Sequence, residues 1–338
     1  MKKETKGAKL LRVLLISAVV LAGIFLIDQL LIQNLKNSQV NLINVALIYY
    51  FSVAGMYRML GLGGCMSMCS IAVMGLSAFV CGYTNTKLGW PLYASMLMGV
   101  VSAMILCSVV GSLLMKLDGR AFMFGTMALV YIGTSIFQNF SEFTGGPNGT
   151  SGIEKLNLFG KTISSFKNWF VILAILCYLL ILLMYRIKRT SFGRSLMAVR
   201  DDATAAYSLG VNVYRTKVLA FILSGALSGI GGALYAVHNG TISASLFTFN
   251  TQQSFIIMLM LGGVMSPVGS LFGSILVNYL PEIARSAGNY LNMLYGALII
   301  LLMIFMPMGL AGVLRDLFAR IRMKFFKKKA VPAGKEKV

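Results

Sequence analysis

The amino-acid sequence predicts an all-α, polytopic integral membrane protein with about 10 transmembrane helices, in the range 8–10. Three observations carry that prediction. Hydrophobic residues fill 57% of the 338 positions and charged residues only 12%, about half of what solvates an ordinary soluble domain. The apolar positions gather into runs close to the ~20 residues that cross a bilayer as a helix. Finally, 30 Lys and Arg stand against 10 Asp and Glu, and the cations fall between the runs and at both ends, where the basic bias of cytoplasmic loops places them. In a soluble chain a net charge of +20 would suggest nucleic acid. Here the partner is the lipid bilayer, and no nucleic acid is expected.

The elements follow in order. A basic cytoplasmic N-terminus over 1–10 carries Lys2, Lys3, Lys6 and Lys9, and an apolar run extends from Val13 to Ile27. Asp28-Gln29 follows it in place of a small-residue cleavage site, so the run reads as an uncleaved first span with its N-terminus inside. Spans are expected at 11–32, 40–58, 65–83, 91–115, 121–140, 169–186, 216–237, 251–264, 268–283 and 290–308. The eighth and ninth are short, and together they also read as one broken hairpin. A basic tail over 314–338, with Arg320, Arg322, Lys324 and Lys327–Lys329, places the C-terminus in the cytoplasm as well. Residues 11–313 then form one transmembrane domain, with an extracytoplasmic loop at 141–168 and a cytoplasmic loop at 187–215. Arg58 and the turn Lys116–Arg120 are expected on the cytoplasmic side.

Catalytic machinery is not expected. The one histidine, His238, falls at the end of a span and reads as an interfacial anchor. Cys65 and Cys69 share a helix face but have no second pair of ligands, so no metal is expected. All ten carboxylates fall in loops, in tails or near span ends, which argues against a proton relay at the bilayer midplane. Gly160-Lys161-Thr162 resembles the end of a P-loop, but Lys155 stands where its first glycine is needed. The chain is therefore not an enzyme by this reading and binds no cofactor.

The basic loop is long for an unstructured connection. Val199, Ala203, Ala206 and Gly210 recur at helical spacing and make one narrow face. A helix beginning near Val199 would hold Asp201 and Asp202 in its first turn, where the macrodipole favours anions, and would stop at Gly210 and Asn212. Its apolar side offers alanine where a lipid-resting helix needs bulky residues, so docking against another protein fits better.

The string Gly193-Arg194-Ser195-Leu196-Met197-Ala198-Val199-Arg200-Asp201-Asp202, followed by Ala205-Ala206, Leu209-Gly210-Val211-Asn212 and Tyr214-Arg215-Thr216-Lys217, resembles the coupling loop of ABC-importer permeases. The closest resemblance is to the LivM type, which serves branched-chain amino acid uptake. It extends over about 44–313 and implies the ABC-importer permease fold. In that family this loop docks on the ATP-binding subunit. By position, Gly193, Arg194, Arg200, Asp201, Asp202, Ala205, Ala206 and Gly210 would form the docking element. Ala203 stands where the family often has an acidic residue.

Thr144-Gly145-Gly146-Pro147-Asn148-Gly149 resembles the family's external loop. Its turn-forming residues predict a tight turn, read either as exposed amides that meet a solute or its carrier or as a plain structural turn. Leu219–Phe221 through Ala233–Ala236 also matches, with Gly225, Gly229 and Ala233 every fourth residue beside Ser228, Gly232 and Ala236. That stripe predicts close helix packing. One departure is Gly64-Cys65-Met66-Ser67, where the family commonly has glutamine in place of Cys65. Leu62-Gly63-Gly64-Cys65-Met66-Ser67 parallels Leu261-Gly262-Gly263-Val264-Met265-Ser266. Glycine-broken segments in two halves point to a pathway, so Gly63, Gly64, Gly262 and Gly263 are candidate pore-lining positions.

The resemblance implies a permease subunit moving a small polar solute, branched-chain or other amino acid, by alternating access. Its implied partners are two ABC ATPase subunits that use ATP, a second LivH-like permease and an extracytoplasmic solute-binding protein, in the bacterial inner membrane. Related permeases carry urea, amides, sugars or nucleosides. An ion-coupled secondary transporter working alone is the alternative of a different class.

Overall fold

A computed structural model describes residues 32–117, 119–158, 161–163 and 165–284, with isolated positions among 23–29 and 296–312. Both basic tails and nearly all of the first and tenth expected spans lie outside the described residues.

Eleven helical segments are described: α1 Asn37–Met56, α2 Ser70–Thr86, α3 Leu92–Leu114, α4 Gly119–Asn139, the single turn α5 Ser141–Thr144, α6 Phe166–Arg189, α7 Ser191–Asp201, α8 Ala203–Ser208, α9 Val213–Asn239, α10 Phe249–Gly262 and α11 Pro267–Ala284. Five runs are long and apolar enough to cross a membrane: Asn37–Leu62, Leu92–Leu114, Gly119–Asn139, Phe166–Arg189 and Val213–Asn239. The second through ninth expected spans each fall on one helix.

α9 is the hub, packed against α1, α2 and α3. Its small-residue stripe makes that possible. A Cβ on Gly225 would stand 2.3 Å from Cys107 Sγ on α3, and one on Gly232 would stand 2.1 Å from the Met74 carbonyl on α2. Ser228, Ala233 and Ala236 are buried in the same contact. Backbones this close bury dense van der Waals contact, which is what holds helices together where lipid supplies no hydrophobic drive. Side chains cross-link the layer: Ser77 Oγ donates to the Gly229 carbonyl at 2.7 Å. By contrast α3 and α4 leave Ile105, Val109, Leu113, Phe124 and Ile132 exposed, the apolar outer surface a bilayer would cover.

The first helix runs further than the sequence suggests. α1 continues through a π-helical turn, Tyr57–Leu62, so Arg58, expected in a cytoplasmic loop, lies inside the helical run and is buried. No residue before Gly63 breaks the helix, and the Arg58 guanidinium lies against Met184 Sδ on α6 (Nη2–Sδ 3.8 Å). The span expected from residue 65 begins instead at Ser70, after an irregular stretch at 64–69. α10 and α11 form the antiparallel hairpin, crossing where a Cβ on Gly273 would meet the Met258 carbonyl at 2.1 Å.

The connections sort into two ends. At one lie the α3–α4 turn, α7, α8 and the α10–α11 turn, with Tyr214 Oη donating to the Ser112 carbonyl at 2.8 Å. At the other lie the α2–α3 turn and the long loop before α6. There β1 (Thr150–Ser151) pairs antiparallel with β4 (Thr241–Ile242), and β2 (Asn157–Leu158) with β3 (Lys161–Thr162).

Candidate functional site

The loop after α6 folds as two short helices rather than one. Thr190 opens α7, its hydroxyl accepting from the Gly193 amide at 3.2 Å. The helix ends at Asp201, and Asp202 leaves it with an extended backbone (φ −155°, ψ 111°). Asp202 then caps α8: its Oδ1 accepts from the amides of Thr204 at 2.8 Å and Ala205 at 3.0 Å. The expected helix starting near Val199 is thus corrected. Asp201 is the last residue of α7 and Asp202 is a cap, because an aspartate satisfies orphan amides better outside a helix than within it. Gly210 ends the element with φ +83° and open space around it, as its stop signal implied.

The expected docking residues divide by exposure. Arg194, Arg200, Asp201, Asp202, Ala205 and Gly210 are exposed, whereas Gly193 and Ala206 are buried. Gly193 sits in the corner between α6 and α7, where a Cβ would meet the Ile187 carbonyl at 2.1 Å. Ala206 is buried, as are Val199 and Leu196 of α7. Two residues outside the expected docking set protrude: Tyr207 is 72% exposed and Leu209 83%. Their signal was available, because large apolar residues inside a basic polar loop have no core to enter.

α7 is seated on the first glycine-broken segment. Leu196 and Arg200, one helical turn apart and so on one face, lie over consecutive glycines. A Cβ on Gly63 would stand 3.1 Å from Leu196 Cδ1, and one on Gly64 would stand 2.9 Å from Arg200 Cγ. Gly64 also has φ +67°, a conformation glycine adopts without cost. Arg200 Nη1 donates to the Gly61 carbonyl at 2.6 Å and contacts Met265 Sδ at 3.0 Å. The second segment lies alongside, since a Cβ on Gly61 would meet the Val264 carbonyl at 2.3 Å. Gly262 is packed at the α10–α11 crossing and Gly263 ends α10 with φ 107°. The four candidate pathway glycines therefore gather near one another, with Gly63 and Gly64 beneath α7.

Beyond Gly64 the chain runs irregularly to Cys69. Backbone amides left open at membrane depth need partners from the protein. Thr126 Oγ1 of α4 accepts from the Met68 amide at 3.0 Å. Gln252 of α10 supplies another acceptor, at the start of α2.

At the opposite end the external loop uses its amides internally. The Gly145 amide donates to the Ser141 carbonyl at 2.9 Å, and the Gly149 amide to the Gly146 carbonyl at 3.1 Å. The Gly146 amide donates to Thr144 Oγ1 at 3.1 Å. Thr144 is buried, Asn148 is exposed, and Pro147 lies inside the short turn Gly146–Asn148. Gly145 and Gly149 have φ +77° and +70°, which is why glycine stands there. The turn borders a polar hollow of about 370 Å³ lined by Lys87, Ser141, Glu142 and Thr150 among others. The amides of Gly145, Gly146 and Gly149 are thus spent inside the loop, as the reading of a plain structural turn implies, and the polar hollow lies beside them.

Residues 38–307 match the family described as branched-chain amino acid transport system / permease component. The high-affinity branched-chain amino acid transport system permease protein LivM of Salmonella typhimurium is 27% identical, over 93% of this chain and 80% of its own length. The fructose import permease protein FrcC of Rhizobium meliloti is 27% identical over 68% of this chain and 59% of its own length. The permease protein LivH of Escherichia coli is 25% identical over 66% of this chain and 76% of its own length. No solved structure matches the chain at a significant level.

Proposed function

Because the chain belongs to the branched-chain amino acid transport system / permease component family, and so is a multi-pass ABC permease, we propose that it imports branched-chain amino acids as one half of a permease pair. The observation that carries the reading is the likeness to LivM over 93% of the chain. The likeness to LivH supports a second, related permease as the other half. Two ATPase subunits are the engine, because the sequence carries no P-loop. A solute-binding protein outside a bacterial inner membrane is the donor.

In this reading the exposed face of α7 and α8, with Ala205, Tyr207 and Leu209, docks into a groove of an ATPase subunit. Nucleotide-driven closure of the ATPases moves that face. Solute crosses between the two permeases as the bundle alternates between outward and inward states, and the 141–168 loop with its polar hollow receives the binding protein. Binding-protein contact at one end and ATPase contact at the other give the assembly differential affinity for its two states, which is what moves a two-state equilibrium.

A second solute class has a specific observation behind it. The fructose permease FrcC matches two thirds of the chain, so a sugar is the competing substrate.

The experiment is uptake in the producing cell. Deleting the gene should abolish ATP-dependent leucine uptake, and affinity capture of the tagged chain should bring down an ATPase and a second permease. Loss of fructose uptake with leucine uptake intact would move the assignment to sugars. Sodium-driven transport by the purified chain alone would end the ABC reading.

A further inference from the structure

We infer that Arg200 is the positioning residue through which movement of the coupling helices reaches both glycine-broken segments at once. The inference rests on the permease reading above and names how that permease is driven.

The argument is geometric. α7 packs against α6, α9 and the π-helical turn, and its Arg200 joins two pieces of the bundle that are far apart in sequence. Its Nη1 donates to the Gly61 carbonyl at 2.6 Å, in the π-helical turn that ends the first described span. The same nitrogen meets Met265 Sδ at 3.0 Å, in the turn between α10 and α11. Those positions are 204 residues apart in sequence, and each lies beside one copy of the Leu-Gly-Gly string. A thioether is a weak acceptor, so the Gly61 bond is the strong arm and the Met265 contact the weak one.

Local structure fits a moving joint. The Gly61 carbonyl lies in a π-helical turn, a form that interrupts the regular ladder and recurs at functional sites. The stem of Arg200 lies over Gly64, whose positive φ starts the irregular stretch. That stretch reaches Ser70; within it the Met68 amide is held by Thr126 of α4, and the Ile71 amide in the first turn of α2 just beyond it by Gln252 of α10. A displacement of α7 therefore pulls on a segment that has left the regular helical ladder and is tied at Met68 by a side chain, and on the hairpin turn beside it. Nη1 carries two N–H groups, so one nitrogen of a rigid planar fork serves both contacts; a lysine ammonium keeps the donors but not that fixed geometry.

The chain supplies its own probe. Cys65 follows Gly64 directly and is half-buried, while Cys69, Cys81, Cys107 and Cys177 are buried. In everted membrane vesicles from the producing cell, the rate at which fluorescein maleimide labels Cys65 is measured with and without ATP plus vanadate. Cys65→Ser gives the background. In the wild type the rate should change severalfold with nucleotide. Arg200→Met keeps an aliphatic stem over Gly64 but removes every donor. It should abolish that change while the ATPase subunits still co-purify, and Arg200→Lys should restore part of it. A nucleotide response that survives in Arg200→Met overturns the inference, as does loss of ATPase capture in that variant, which would make Arg200 a docking contact. No response in the wild type with ATPase still captured overturns it too and leaves the permease reading standing. No response and no ATPase overturns both.

Discussion

The Gln252 side-chain oxygen accepts a hydrogen bond from the Ile71 backbone amide at 2.9 Å, and Gln252 is completely buried. α2 begins at Ser70 after six irregular residues, so its first amides have no helical partner. A glutamine from α10 fills that need across 181 positions of sequence. The bond also explains why a polar side chain is tolerated among apolar neighbours such as Phe255 and Leu259.

Replacing Gln252 with leucine should therefore destabilise the chain by about 1–3 kcal/mol, the cost of leaving a buried donor unpaired. The unfolding midpoint in detergent should fall. A midpoint equal to the wild type would mean that another acceptor reaches Ile71.

The seam between α9 and α2 should be the bundle's least tolerant surface. In Gly232→Ala the new methyl would stand 2.1 Å from the Met74 carbonyl, and forcing such helices apart costs roughly 1–3 kcal/mol. Gly210→Ala is the comparison, because its surroundings are open and only its positive φ resists. Thermal denaturation of the two variants should rank Gly232→Ala as clearly the weaker.

Strain at the external loop is testable separately. Gly149 combines φ +70° with a Cβ position 1.9 Å from the Ile242 carbonyl, so Gly149→Ala cannot keep both the turn and the β1–β4 pairing. Limited proteolysis should cut this variant between 144 and 152 faster than the wild type. Equal rates would show that the pairing does not depend on the turn.

The protruding pair on the loop should govern capture of the ATPase. Tyr207→Asp with Leu209→Asp introduces two charges at sites 72% and 83% exposed, so folding should change by less than about 0.5 kcal/mol. Co-purification of the ATPase should drop at least tenfold. Undiminished capture would place the docking face elsewhere on α7 and α8.

Eight helices were readable from apolar run length, and the α9 seam from glycines at every fourth position. The first rests on continuous apolar length and the second on a spacing that close helix packing enforces directly. The break at 64–69 was hidden, because Cys65, Met66 and Met68 keep the hydropathy of a span while the backbone leaves the helix. Only Gly63-Gly64 marked it. The 187–215 loop was half legible: Gly210 stops its helical part as expected, but Asp202 serves as a cap between two helices rather than inside one. The seat of α7 on Gly63 and Gly64 could not be read at all, since it depends on which distant turns the fold brings together.

α9 starts directly after α8 and its following turn, where Asn212 caps its first turn (Arg215 N–Oδ1 2.9 Å), and ends at Gly240 beside the strand β4, which pairs with β1 of the 141–168 loop. Its 27 residues make a rod about 40 Å long. Tilting that rod by about 10° swings one tip by about 7 Å relative to the other. One continuous helix thus joins the end of the bundle that carries α7 and α8 to the end that carries the β1–β4 pairing, so that a rigid lean at one tip would reach the other without any relay of loops between.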